Sequence, residues 1–85
     1  MAEEEEIGEV THYFTNIGVA IIKINNGELN KGDTIHIKGA TSDFTQEVNS
    51  MEVEHKQVES AKKGESVGLR AAEHARKKDK VFKVI

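Results

Sequence analysis

Leu29-Asn30-Lys31-Gly32-Asp33-Thr34-Ile35-His36-Ile37-Lys38-Gly39 decides how this chain is read. An apolar anchor precedes a tight corner, and the corner launches a period-2 run. Gly32 supplies the positive φ that a sharp corner requires, and Asp33 accepts hydrogen bonds from backbone N–H groups freed there. Beyond it, Ile35 and Ile37 face one way while Thr34, His36 and Lys38 face the other, the pattern of a strand with one buried face. The same grammar returns at Lys63-Gly64-Glu65 before Val67 and Leu69. A weaker form, Lys78-Asp79-Lys80, stands before Val81.

Working outward, the remaining segments read as strands too. Ile7 to Phe14 is a first strand, turned at Thr15-Asn16 into a second over Val19 to Asn25. The second is apolar on both faces, with Ala20, Ile22 and Ile24 on one and Val19 and Ile21 on the other, as expected of a central strand covered on both sides. Asn26-Gly27 is a strong hairpin signal. Phe44 to His55 reads as one long strand whose phase slips near Asn49-Ser50, and a β-bulge there would return Val48, Met51 and Val53 to one face. Ser66 to Ala71 and Lys80 to Ile85 complete the set. A helical turn fits only Glu59 to Lys63 or Ala71 to Lys78. The expected fold is all-β: a small closed antiparallel barrel of six to seven strands over residues 7–85. Its expected core is Val10, Ala20, Ile22, Ile24, Leu29, Ile35, Ile37, Val48, Met51, Ala61, Val67, Leu69 and Val81.

Composition narrows the function classes. A chain of 85 residues forms one domain and buries roughly 60–65% of its unfolded surface. It has no cysteine, which removes disulfides and thiolate metal sites. No apolar run reaches the length of a membrane span, so no membrane association and a cytoplasmic location are expected. The net charge of −3 conceals a gradient: −4 over residues 1–6, −4 over 7–61 and +5 over 62–85. Residues 1–6 are expected to be a disordered acidic tail. The basic end is the one electrostatic feature fit to steer an anionic partner, and Arg70, Arg76, Lys77, Lys78, Lys80 and Lys83 are its candidate phosphate contacts.

Three local motifs carry chemistry elsewhere and not here. Gly64-Glu65-Ser66-Val67-Gly68 matches the nucleophile elbow G-x-S-x-G, but that elbow requires a helix after the serine, and here a strand follows. Asn30-Lys31-Gly32-Asp33 matches N-K-x-D, yet no G-x-x-x-x-G-K-[ST] loop exists to cradle phosphates, so no nucleotide is expected. The nearest metal-like grouping is Glu52, Glu54, His55 and Glu59, but on a strand His55 points away from the two carboxylates. No catalytic residue, metal or cofactor is expected. Of the aromatic residues available for base stacking, Tyr13, Phe14, Phe44 and Phe82, most are expected in the core.

The ordered series Gly8-Glu9-Val10, Ala20-Ile21-Ile22, Leu29 through Ile37, Val48-Asn49-Ser50-Met51 and Ala61 through Leu69 resembles domain 2 of the translation GTPases, such as elongation factor Tu and bacterial initiation factor two. It is similar to the free-standing form called translation elongation factor-like protein, and a similar barrel occurs at the C-terminus of some collagenase-like peptidases. The resemblance implies a non-enzymatic binding module contacting tRNA or the ribosome. The alternative it implies is a protein-interaction module, an accessory subunit of a larger enzyme such as those peptidases. The GTPase domain is absent, and Lys78 stands where the relatives' corner carries glycine.

Overall fold

Each corner of the chain is built the same way, and the corners set the strands. In the computed structural model, which describes residues 3–85, the amide of Asn30 donates to Asp33 Oδ2 at 2.7 Å and the amide of Asp33 donates to the Asn30 carbonyl at 3.0 Å. Lys62 and Glu65 repeat this at 2.7 and 3.0 Å. Arg76 and Asp79 repeat it again at 2.8 and 3.0 Å. The third position of each corner is left-handed: Gly32 at φ 96°, Gly64 at 95° and Lys78 at 80°. Four residues before each acid lies a fully buried anchor, Leu29, Ala61 or Ala75, and two residues after it lies another, Ile35, Val67 or Val81. Lys78 thus holds the turn without glycine, at a cost of about 1 kcal/mol.

The strands are β1 (Glu4–Phe14), β2 (Val19–Ile24), β3 (Glu28–Asn30), β4 (Thr34–Lys38), β5 (Asp43–Glu47), β6 (Glu52–Val53), β7 (Lys56–Gln57), β8 (Ser60–Lys62), β9 (Ser66–Arg70) and β10 (Lys80–Val84). Every pairing is antiparallel, and no helix occurs among the described residues. Neither segment expected to admit a helical turn forms one. One sheet runs β5-β4-β10-β1-β2-β9-β6-β7, and β3 pairs with β8 apart from it. The ladder therefore has more and shorter pieces than the expected six or seven strands. It also leaves a seam between β5 and β9, which Gln46 bridges with its side-chain amide. Nε2 donates to the Arg70 carbonyl at 2.8 Å and Oε1 accepts from the Ala72 amide at 2.6 Å.

All thirteen expected core residues are buried, joined by Ile7, Phe44, Ala71 and Ala75. Three expectations are corrected. The acidic stretch is not a free tail over its whole length: Glu4, Glu5 and Glu6 pair with Val84, Lys83 and Phe82, while Met1 and Ala2 lie outside the described residues. Asn26-Gly27 closes no hairpin, because β3 leaves the sheet to pair with β8 and the Asn25 and Asn26 amides donate to the Ile7 carbonyl instead. The long strand from Phe44 to His55 is broken. β5 ends at Glu47, Asn49 to Met51 lie outside any strand, and Glu52 to Gln57 form a miniature hairpin. Val48 and Met51 still reach the core, with Val53 packed at its margin.

Candidate functional site

Alternation along β2 creates the main surface feature. β2 lies between β1 and β9, with Ala20, Ile22 and Ile24 fully buried inside and Val19 and Ile21 facing outward, half-buried. Outside them runs a groove of about 620 Å³. Gly68 of β9, paired with Ile21, sets its depth: a Cβ there would stand 3.3 Å from Ile21 Cδ1 and 4.0 Å from the Glu52 carbonyl oxygen. One wall is the turn between β1 and β2, which leaves Phe14 44% and Ile17 57% exposed. The opposite wall is the β6–β7 hairpin with Glu52, Glu54 and His55, and Arg70 and Ser66 also line the groove. Glu54 and His55 both hold left-handed φ, 53° and 66°, in a two-residue turn where Asn-Gly is the relaxed choice. Two such residues store on the order of 1 kcal/mol or more each. This strained tip stands on the rim of an apolar floor.

The six candidate cations do not form one stripe. Lys80 pairs with Glu6 at 3.7 Å, and Lys83 pairs with Asp33 at 3.2 Å while donating to the Glu28 carbonyl. Three positions apart on β10, these two leave opposite faces of the strand. Arg70, Arg76, Lys77 and Lys78 are exposed and make no ion pair among the described residues. They lie at the two ends of the segment that crosses from β9 to β10. That segment is pinned by the Ala71 amide on the Gly18 carbonyl, by His74 against Tyr13 at 4.6 Å, and by the Lys78 amide on the Val10 carbonyl. The aromatic expectation is also corrected: only Phe44 is in the core, while Phe14 is exposed and Tyr13 and Phe82 are half-buried. A half-filled β-surface accommodates large rings at its margins as readily as inside it.

Acyl-transfer geometry is absent from the serine motif. Ser66 opens a strand, and His74 is stacked on Tyr13, with no hydrogen bond to Ser66 among the described residues. No cluster of three metal-ligating side chains occurs among the described residues. The chemistry the groove offers is binding, with an apolar floor, two acids on one wall and one arginine.

Residues 18–81 match the family model for elongation factor Tu domain 2. An uncharacterized protease of Methanocaldococcus jannaschii is 42% identical over 78 residues, which cover 91% of this chain and 19% of that protein. A collagenase of Porphyromonas gingivalis is 36% identical over 78 residues, covering 91% of this chain and 22% of that one. This chain thus spans about a fifth of the length of these curated relatives. Among solved structures, the C-terminal domain of a protein assigned to the U32 peptidases of Geobacillus thermoleovorans superposes with a TM-score of 0.86 at 20% identity, covering 93% of this chain and 91% of that one. At that identity the superposition establishes the fold.

Proposed function

This chain belongs to the elongation factor Tu domain 2 family, and we propose that it is a non-catalytic accessory domain of a peptidase-family protein, docking through the outer face of β2. The observation that carries this reading is the uncovered apolar surface of a central strand. Half-buried Val19 and Ile21 form an apolar floor, and exposed Phe14 and Ile17 stand beside it as one wall. The relatives supply the kind of partner. In a protease and in collagenases a similar barrel makes up about a fifth of a much longer chain, so most of each such protein is available to seat it. The test is affinity capture from the native host with the tagged barrel. The expected product is a polypeptide of the peptidase family, lost with Phe14→Asp. Recovery of RNA with no protein, or capture indifferent to that substitution, overturns the proposal.

A second reading, contact with tRNA or ribosomal RNA, draws support from a separate observation. Arg70, Arg76, Lys77 and Lys78 make no ion pair among the described residues and lie at the two ends of the segment whose middle holds His74 against Tyr13. Such binding falls steeply as salt rises. Failure of tRNA and ribosomal subunits to be retained at low ionic strength removes it.

A further inference from the structure

A single imidazole ties the start of the first strand, through its side chain, to strands beyond its ladder partner. His36 sits on the outer face of β4, between Thr45 of β5 and Phe82 of β10 in the ladder. Its Nδ1 lies 2.8 Å from Glu4 Oε2 and its Nε2 lies 2.5 Å from Asp43 Oδ1. Glu4 belongs to β1, on the far side of β10, so its side chain crosses a whole strand to reach the ring. A neutral imidazole carries one N–H and one lone pair, and it satisfies only one of two carboxylates. Only the imidazolium, with two N–H donors, satisfies both at once.

We propose that His36 is a protonation-operated latch: charged, it ties Glu4 of β1 and Asp43 of β5 together across β4 and β10, and on losing its proton it releases the Glu4 arm. Besides this contact, the strand entry is held by its backbone ladder to β10 and by the Ile85 amide, which donates to the Glu3 carbonyl at 2.7 Å. Glu4, Glu5 and Glu6 are all exposed and have a ladder partner on one side alone, β10, because β2 joins only from Gly8. Their other side-chain contacts are Glu5 with Asn26 Nδ2 at 3.3 Å and Glu6 with Lys80 at 3.7 Å. The ionisable groups on the ring's side of the sheet are Glu4 and Glu6 from β1, Asp43 and Glu47 from β5, Lys38 on β4 itself and Lys80 from β10, while Lys83 leaves the opposite face. Of these, only His36 changes charge near neutrality. The environment pushes the same way, because the hydrogen bond donated to Asp43 outweighs the burial of the ring and, with Glu4, raises the His36 pKa. When the proton leaves, the remaining N–H stays with Asp43, the closer partner. Glu4 is then left to face a lone pair, with Glu3, Glu5 and Glu6 close along the chain.

The experiment is an NMR titration of the whole protein from acid to alkaline pH. It follows the His36 ring and the exchange of amide protons in the Glu4–Glu6 and Phe82–Val84 ladder, corrected for intrinsic rate. Protection there is expected to fall about two- to five-fold as His36 titrates, at a pH above the ordinary histidine value. His36→Gln is expected to flatten that profile. Glu4→Gln does the same and also lowers the pH of the His36 transition, which keeps the test informative if the histidine variant folds poorly. His12, His55 and His74 serve as internal controls, since their titration is expected to leave this ladder unchanged. A His36 transition at or below the ordinary value, or protection that does not follow it, overturns the latch.

Discussion

The hairpin of β1 and β2 has two faces made from the same kinds of side chain, and they do different work. Inside, Val10, Ala20, Ile22 and Ile24 are at most 1% exposed and touch the rest of the core. Outside, Phe14, Ile17, Val19 and Ile21 are equally apolar and remain open. Hydrophobic burial explains the first set fully. The second set is only partly covered in the isolated chain, with Val19 and Ile21 half-buried and Phe14 and Ile17 exposed, and the missing side chain at Gly68 leaves space above it. Apolar character alone therefore does not mark the core, and the face that β2 turns outward is where the proposed docking lies.

Substitutions on the two faces separate these roles. The largest effect is expected inside: Ile22→Ala should lower stability by about 2–5 kcal/mol in denaturant unfolding, since the site is fully buried and enclosed. Gly68→Val should cost about 1–3 kcal/mol, because a Cβ there already stands 3.3 Å from Ile21 Cδ1 and 4.0 Å from the Glu52 carbonyl oxygen, and the two methyl groups add to that crowding. It should nevertheless raise the groove floor and weaken capture of the proposed partner. Lys78→Gly should stabilise the barrel by about 0.5–1 kcal/mol by relieving the left-handed lysine, with a higher melting temperature and unaltered capture. That variant shows whether stability and docking vary independently.

The smallest effect is a pH dependence. His36 has its pKa raised on folding, so its contribution is fully present below the unfolded value and is lost as pH rises through the folded one. Asp43 has its pKa lowered, chiefly by the His36 hydrogen bond, so its contribution is present above the ordinary carboxylate value and disappears as pH falls through the folded one. Thermal unfolding should therefore show a shallow stability maximum in mildly acidic solution that His36→Gln removes. Capture through the outer face of β2, which includes neither residue, should be indifferent to it.

Much of the fold was legible because glycine-acid corners and period-2 runs are local signals. Leu29 to Ile37 and Ala61 to Leu69 declare their inward faces without tertiary help. Ala75 was legible in principle, since it stands four residues before Asp79 as Leu29 stands before Asp33, but a lysine in the glycine position obscures the repeat. The β6–β7 hairpin was not legible, because Glu54 and His55 adopt a turn that their side chains disfavour. Nor was the strand at Glu4–Glu6, which is held by backbone pairing with β10 and by Glu4 reaching His36, contacts made 32 or more residues away in sequence. Of the site, the double-sided apolarity of Val19 to Ile24 was the visible trace. What the chain alone conceals is that the outer side stays open, because that depends on Gly68 and a strained hairpin arriving from elsewhere. The cations were visible as a cluster, yet Lys80 and Lys83 are spent on Glu6 and Asp33.

The most direct measurement is Ile17→Asp, assayed in parallel for thermal unfolding and for capture of the peptidase-family partner. Ile17 is 57% exposed on the groove wall and takes no part in the core, so its substitution leaves the core packing intact. The account predicts an unfolding temperature within a few degrees of the parent chain, on the order of 0.5 kcal/mol, together with loss of capture. Capture that persists in a folded Ile17→Asp barrel would contradict it.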